Sequence, residues 1–184
     1  MSNNNLTRRA FMGGTLAMGG LLTASCASFG ILKSRPHATA RYASPASRLN
    51  IACIGVGGMG RTDTEGVGET ENIVALCDID SERAAETREK FPGAAYYNDF
   101  RKLLEKHGKD IDALTISTPD HTHAPIALVA MAMGKHVRIQ KPLAVTIEEV
   151  YALRDAARAH GVVACMGIQG HSGEGARRLC EWIW

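Results

Sequence analysis

The pattern of hydrophobic positions divides the chain near residue 49. Beyond that point, short apolar runs alternate with longer stretches in which apolar residues recur at helical spacing. The first two runs, at 49–54 and 73–77, lack polar alternation except at Asn50, which is typical of strands buried on both faces of a parallel sheet. Six strands are predicted, at residues 49–54, 73–77, 94–97, 113–116, 136–139 and 162–166. Because strands and helices alternate, we predict an α/β fold built on a doubly wound parallel sheet.

The predicted helices are marked by the residues at their ends. Four are expected, at residues 81–90, 100–107, 124–133 and 146–160. Ser81 and Thr146 have the side chains of N-caps, and glycine follows most of the predicted C-termini. A further helix is expected after Gly60, although Gly66 and Gly68 lower its helix propensity and leave its length open.

Residues 1–48 follow a different pattern, which we interpret as a targeting segment and linker. Polar residues precede Arg8 and Arg9, and an uncharged stretch that is rich in glycine follows them. The glycines make this stretch too weakly apolar for a typical membrane span. Residues 7–12 resemble a twin-arginine export signal, which predicts transfer by the twin-arginine translocase to a periplasmic or other extracytoplasmic location. An ordinary secretory signal that carries two arginines is the alternative.

Two processing sites are compatible with this leader. Residues 38–40 have the A-x-A pattern that precedes signal cleavage. Residues 22–26 form a degenerate lipobox, so a lipid anchor at Cys26 is a second prediction. Twin-arginine substrates cross the membrane folded, which suits a protein that loads a cofactor in the cytoplasm.

The near-neutral net charge of +2 is an average over two unlike parts. Six of the 21 Lys and Arg residues and none of the 19 Asp and Glu residues lie in residues 1–48, so that segment carries +6 and the remainder −4. An acidic body is a poor nucleic-acid partner, because phosphate binding needs a basic surface. Five scattered cysteines also exclude a disulfide scaffold and a CxxC metal site.

A glycine-rich loop directly follows the first predicted strand. It reads Gly55, Val56, Gly57, Gly58, Met59 and Gly60, the pattern G-x-G-x-x-G. The glycines allow a tight turn, close approach of the backbone to a pyrophosphate, and close contact between helix and strand. Backbone N–H groups at the start of the next helix then face the phosphates. These six residues are therefore predicted to bind a cofactor, the alternative being a turn that binds nothing.

Asp78 ends the second strand, 23 residues after Gly55. This spacing is typical of the carboxylate that accepts hydrogen bonds from an adenosine ribose. The same carboxylate would repel a 2′-phosphate, and no arginine follows it directly. We therefore predict NAD as the cofactor, in preference to NADP.

Two loops follow strands whose carboxyl ends face the expected ligand crevice, at residues 117–123 and 140–143. His121 and His123 in the first loop suggest a metal pair, but further ligands are scarce, so we predict a cofactor-lining role and no metal. In the second loop, Lys141 precedes Pro142 at a strand end. It could serve as acid or base toward a substrate hydroxyl, or be an ordinary surface lysine.

Taken in order, the glycine loop, Asp78, the 117–123 loop and the GKHVRIQKP block at residues 134–142 resemble the Gfo/Idh/MocA family of oxidoreductases. The resemblance implies a Rossmann domain followed by a second α/β domain, and NAD(P)-dependent chemistry on sugars or polyols. It implies Lys141 as the catalytic residue and Pro142 as its anchor. By the same resemblance, Thr118, Pro119 and His123 lie near the nicotinamide.

Two departures from that family stand out. The usual E-K-P motif has Gln140 before Lys141, which removes a carboxylate beside the lysine, although Gln140 is still expected at the cofactor site. The chain also ends soon after residue 170, before the expected substrate domain. His171 is not a clear replacement for that domain's proton-relay residues.

These observations together predict three parts, an export leader at 1–48, an NAD(P)-binding domain at 49–170 and the start of a second domain at 171–184. The predicted function is the nucleotide-binding part of an oxidoreductase that moves a hydride between a nicotinamide cofactor and a sugar or polyol derivative. The predicted full-length form is a homo-oligomer, and the isolated fragment is expected to turn over little. Two alternatives remain, a redox-neutral NAD-dependent glycosidase and a non-catalytic dinucleotide-binding module.

Overall fold

A six-stranded sheet is the centre of the computed structural model, which describes residues 47–184. The strands are β1 (Asn50–Ile54), β2 (Asn72–Cys77), β3 (Ala95–Tyr97), β4 (Ala113–Ile116), β5 (His136–Ile139) and β6 (Ala164–Met166). Their order is β3-β2-β1-β4-β5-β6, and every pair of neighbours is parallel. The predicted doubly wound parallel sheet is confirmed as a Rossmann-like α/β fold.

Six α-helices occur among the described residues. They are α1 (Met59–Gly68), α2 (Ala85–Lys90), α3 (Phe100–His107), α4 (His123–Ala132), α5 (Ile147–His160) and α6 (Glu174–Ile183). Two 3₁₀ turns, Asp120–Thr122 and Gln169–Ser172, precede α4 and α6. The predicted cap of α5 is present as a capping box, in which the Thr146 hydroxyl accepts from the Glu149 N–H and the Glu149 carboxylate accepts from the Thr146 N–H.

The structure differs from the sequence prediction mainly at helix starts. The helix expected at residue 81 begins at Ala85, because the Asp80 carboxylate accepts from the N–H groups of Glu82 and Arg83 and folds this segment into a turn. Ser81 is therefore not the N-cap. Helix α6 had no counterpart in the prediction. The predicted leader and Cys26 lie outside the described residues, apart from positions 47 and 48.

Buried side chains form two clusters, one on each face of the sheet. Successive side chains of β1 point to opposite faces of the sheet, so Ala52 and Ile54 belong to one cluster, and Ile51 and Cys53 belong to the other. Since both faces are covered, the central strands β1 and β4 are largely apolar, with Asn50 and the buried Thr115 as exceptions. Within residues 47–184, no helix is long and apolar enough to cross a membrane.

The sheet topology fixes where a ligand can bind. The chain runs from β1 outward through β2 and β3, and then crosses over to β4 on the other side of β1. This reversal opens a crevice between the loops that follow β1 and β4, at the carboxyl edge of the sheet. The glycine loop and the 117–123 loop are the segments that leave the sheet there.

We expect thiol reagents to distinguish two pairs of cysteines in the folded protein. Cys53 and Cys77 are buried, and burial raises the pKa of both thiols, that of Cys77 to about 12. Cys165 and Cys180 are exposed. Because the thiolate is the reactive form, iodoacetamide at pH 8 should modify, among the four cysteines in residues 47–184, only the exposed pair, as read by peptide mass spectrometry. Equal labelling of Cys77 under native conditions would contradict this placement.

Candidate cofactor site

A cavity of about 780 Å³ lies at the carboxyl edge of the sheet, within the size range of small-molecule sites. Four segments form it: the β1–α1 loop, the chain that follows β2, residues 98–101 after β3, and the β4–α4 loop. Predicted residues among its lining are Gly55, Gly57, Met59, Asp78, Thr118 and Pro119. The structure thus brings together the glycine loop, the acidic strand end and the 117–123 loop.

The glycine loop leaves no space for side chains where it meets β4. Gly55 has φ +79°, and a Cβ there would lie 2.5 Å from the Ser117 carbonyl oxygen. A Cβ on Gly60 would overlap the carbonyl oxygen of Gly55. Helix α1 begins at Met59 with no side-chain cap on its first N–H groups. The Gly60 and Arg61 N–H groups donate to the Gly57 and Gly58 carbonyls, so the loop closes tightly onto the start of the helix. A close-packed backbone turn at a helix N-terminus fits a pyrophosphate.

The remaining residues of the loop are not all in contact with the cavity. Val56 is buried in the core, and its carbonyl accepts from the Thr87 hydroxyl at 2.8 Å. Gly58 is exposed with φ +56°. Val56 and Gly60 therefore shape the loop from behind, while Gly55, Gly57 and Met59 line the space itself.

The Asp78 carboxylate is fixed by backbone donors at both oxygens. Oδ2 accepts from Gly57 N–H at 2.8 Å, and Oδ1 accepts from Asp80 N–H at 3.0 Å. Each oxygen keeps a further lone pair for a ligand hydroxyl. The Asp78 carbonyl is also held, since the Tyr96 hydroxyl donates to it at 2.8 Å. The carboxylate is thus tied to the glycine loop, and its predicted role toward a ribose stays a prediction.

His123 lies behind the cavity wall and does not line it. The side chain is fully buried at the start of α4, with Nδ1 2.7 Å from the Pro142 carbonyl oxygen and Nε2 2.9 Å from that of Thr118. The ring therefore connects the β4–α4 loop to the loop after β5. Any contribution of His123 to a cofactor goes through those two loops, and its nitrogens are not available to a metal. His121, by contrast, is exposed and lines the cavity.

Replacing His123 by alanine should destabilise the protein by about 3 kcal/mol, because a fully buried ring that contacts the Pro142 and Thr118 carbonyls is removed and a void forms. This corresponds to a fall in Tm of about 10 °C. The control is His121→Ala, which removes an exposed ring and should change stability by about 0.5 kcal/mol at most. Thermal unfolding followed by circular dichroism gives both values. Similar Tm values for the two variants would show that the His123 contacts contribute nothing.

Asp63, on α1, contacts the ends of β4 and β5, although no motif in the sequence had singled it out. Its Oδ2 accepts from the Ser117 hydroxyl at 2.7 Å and from Gln140 Nε2 at 2.9 Å, and its Oδ1 accepts from Arg138 Nη2 at 3.2 Å. Burial opposes ionisation of this carboxyl group. The hydrogen bonds and the charge of Arg138 outweigh that effect, so the pKa of Asp63 lies below its usual value.

Gln140 and Lys141 lie at the end of β5, outside the lining of the cavity. Gln140 is buried, and its Oε1 accepts from the Lys141 N–H at 2.8 Å. The Lys141 side chain is exposed, and the peptide bond to Pro142 is cis. Since β5 pairs with β4, Lys141 follows the strand beside the one that carries Ser117 and Thr118. Its catalytic role stays a prediction.

Arg83 lines the cavity, although it does not follow Asp78 directly in the sequence. The turn at residues 81–84 returns the chain to the glycine loop, where Arg83 Nη2 would lie 3.2 Å from a Cβ on Gly58. A cation at this point faces the expected position of the phosphates. The available signal was the Asp80 side chain, which favours a turn and brings Arg83 back.

Comparisons with known proteins agree with this geometry. The model of the Gfo/Idh/MocA oxidoreductase family, described as an NAD-binding Rossmann fold, matches residues 49–168. The chain is 38% identical over 120 residues to an alpha-N-acetylgalactosaminidase of Shewanella oneidensis, covering 59% of this chain and 26% of that protein. It is 31% identical over 125 residues to a levoglucosan dehydrogenase of Pseudarthrobacter phenanthrenivorans, covering 62% of this chain and 32% of that protein.

Among solved structures, a UDP-N-acetylglucosamine 3-dehydrogenase of Acidithiobacillus ferrooxidans superposes with a TM-score of 0.64 at 28% identity. The superposition covers 74% of this chain and 42% of that one. The present chain thus spans about a quarter to a third of the two curated relatives and less than half of this structure. Because the family model matches residues 49–168 and the fold agrees with it, the chain belongs to the Gfo/Idh/MocA family of oxidoreductases and contains the family's NAD-binding Rossmann fold.

Proposed function

We propose that this chain is the nucleotide-binding part of an NAD-dependent enzyme that oxidises a carbinol carbon of a sugar or polyol derivative. The observation that carries the proposal is the close-packed glycine cradle with the Asp78 carboxylate hydrogen-bonded to it at Gly57. This arrangement provides backbone donors for a pyrophosphate and an acceptor for a ribose diol within one cavity.

The residues at the edge of the sheet suit hydride transfer. A bound nicotinamide would accept a hydride at its C4. Thr118 and Pro119 line the cavity on the β4 side, and the strand that follows β4 in the sheet presents Lys141 at its end. The Lys141 amine would take the proton of the substrate hydroxyl as the hydride leaves, and return it in the reverse reaction.

Charge supports NAD as the preferred cofactor. Asp78 and Asp80 both line the cavity, where a 2′-phosphate would add about two negative charges. Arg83 and Arg101 also line the cavity and would favour the phosphate, but the Arg101 guanidinium is paired with the Asp99 carboxylate. Because the Asp78 carboxylate is held in place by Gly57 N–H, it would meet the 2′ position at hydrogen-bond distance. We therefore propose that NAD binds more tightly than NADP.

A second candidate is cleavage of a glycoside in which the sugar is oxidised only transiently and β-elimination breaks the bond. The observation in its favour is the 38% identity to an alpha-N-acetylgalactosaminidase. Both candidates use the same hydride step and differ in what happens to the substrate afterwards.

The assay that tests the proposal uses the protein at the full length that its gene encodes. It follows absorbance at 340 nm with NAD and a panel of sugars, polyols and aryl glycosides. A steady rise in NADH identifies a dehydrogenase, whereas release of the aglycone without net NADH identifies the glycosidase. Lys141→Met should abolish either activity, and Lys109→Met, at an exposed position, should not. Cofactor binding with no turnover of any substrate would favour a non-catalytic module.

We also propose that the protein is exported by the twin-arginine pathway, on the basis of residues 7–12. Replacing Arg8 and Arg9 by lysine should retain the protein in the cytoplasm, as read by cell fractionation. Export that is unchanged in this variant would favour the ordinary secretory route.

A further inference from the structure

Both polar atoms of the Gln140 side-chain amide make hydrogen bonds. Nε2 donates to Asp63, and Oε1 accepts from the Lys141 N–H. Only the NH₂ group can donate to a carboxylate and only the oxygen can accept from an N–H, so the two partners together fix one orientation of the amide. Gln140 is therefore a direct link between Asp63 and the backbone of Lys141.

Asp63 is itself held firmly in place. Its side chain is only 8% exposed, and it accepts from three donors, Ser117, Arg138 and Gln140. These donors come from the carboxyl end of β4, from β5 and from the residue that follows β5, while Asp63 belongs to α1, the helix of the glycine loop. One carboxylate thus connects the phosphate-binding helix to the strand that ends at Lys141.

The identity of residue 140 matters because Asp63 is an anion. A glutamate in the same position would place a second carboxylate oxygen where Nε2 now lies, 2.9 Å from Asp63 Oδ2. Two carboxylates at that distance cannot both ionise without a large repulsion. The charged groups around this point are Asp63 from α1, and Arg138 and Lys141 from β5 and its loop. The Cys53 thiol of β1 also lies close to Asp63 and Arg138.

We infer that Asp63 and Gln140 are a matched acceptor and donor, and that Asp63 is a positioning residue that sets the backbone at Lys141 through Gln140. This inference rests on the proposed function for the role of Lys141. It predicts that the two side chains can be exchanged together and not singly. In Asp63→Asn/Gln140→Glu, the Asn amide donates to the new carboxylate, which still accepts from Lys141 N–H and compensates the charge of Arg138.

The test compares four variants of this chain: Gln140→Glu, Asp63→Asn, the double exchange, and Gln169→Glu as the control. Gln169 is exposed, so its replacement adds the same charge without a facing carboxylate. Each variant is measured for Tm at pH 5 and pH 8, and for affinity to NADH and to ADP-ribose, which has no nicotinamide.

We expect Gln140→Glu to lower Tm by about 4 °C or more at pH 8. The loss should be smaller at pH 5, because repulsion between the two facing carboxyl groups raises the pKa of the pair in the folded variant, so that one proton is shared between them. As pH rises this proton is lost, the two charges repel, and the variant becomes less stable. Asp63→Asn should also lower Tm, and the double exchange should recover at least half of the larger loss. Gln169→Glu should have no effect.

The cofactor measurement separates positioning from stability alone. Gln140→Glu should weaken the binding of NADH about fivefold, which corresponds to about 1 kcal/mol of binding free energy. It should leave the affinity for ADP-ribose unchanged, and the double exchange should restore the affinity for NADH. The inference is overturned if Gln140→Glu behaves like Gln169→Glu, if the double exchange is no more stable than the worse single variant, or if both ligands weaken equally. A chain that binds neither ligand would count against the proposed function, while the Tm values would still decide the pairing.

Discussion

Gly60→Ala is expected to weaken the binding of NADH severely. The added Cβ would overlap the carbonyl oxygen of Gly55, and the Cβ of Ser117 lies 3.1 Å from the same point. The Gly55 backbone atoms cannot move aside as a flexible side chain would, so the glycine loop must change its path. We expect an affinity loss of about 100-fold, equivalent to about 2.7 kcal/mol. Overpacking should lower the stability by about 2 kcal/mol as well.

The control for this prediction lies in the same helix. A Cβ on Gly66 would meet no atom within 4 Å, and the residue is exposed in α1. Gly66→Ala should therefore stabilise the helix by about 0.5 kcal/mol and leave NADH affinity unchanged. Isothermal titration and thermal unfolding give both quantities. Wild-type affinity in Gly60→Ala would show that the loop does not hold the cofactor as we describe.

Asp78→Asn is expected to change cofactor preference more than any other single change. The amide keeps the shape of the side chain, but it has one acceptor oxygen, and Gly57 N–H and Asp80 N–H already use both carboxylate oxygens. NADH should therefore bind about tenfold more weakly, in line with a charged hydrogen bond becoming neutral. NADPH should bind several-fold more tightly, because the repulsion of its 2′-phosphate is removed.

Glu82→Gln is the matched control for charge. Glu82 is exposed beside the same turn and is not among the residues that line the cavity. Its replacement removes one negative charge and should leave the ratio of the two affinities as it is in the wild type. If Asp78→Asn does not change that ratio either, the carboxylate does not select the cofactor, and Arg83 would be the next residue to test.

Much of the fold could be predicted because its signals are local. The strands β4 and β5 and the helix α3 have the predicted bounds, since each is a short apolar run or an amphipathic turn followed by a glycine or a polar loop. The start of α2 could not be placed, because the Asp80 side chain competes with the helix for backbone N–H groups. Such competition depends on how the neighbouring chain is folded.

The site could be predicted only where a motif is continuous in sequence. The glycine loop and Asp78 were found from their spacing, and the structure places them together. Asp63 could not be found, because its partner Gln140 is 77 residues away and only the sheet brings them into contact. His123 was assigned to the cofactor because it lies in a loop at the strand ends. The structure instead shows it buried between two backbone carbonyls.

The central claim is that the cavity between β1 and β4 holds a nicotinamide dinucleotide. The most direct test is titration of this chain with NADH, followed by nicotinamide fluorescence and with ADP-ribose as competitor. We predict one saturable site at micromolar affinity, displaced by ADP-ribose and severely weakened in Gly60→Ala but not in Gly66→Ala. Absence of saturable binding, or binding that Gly60→Ala leaves intact, would contradict the account.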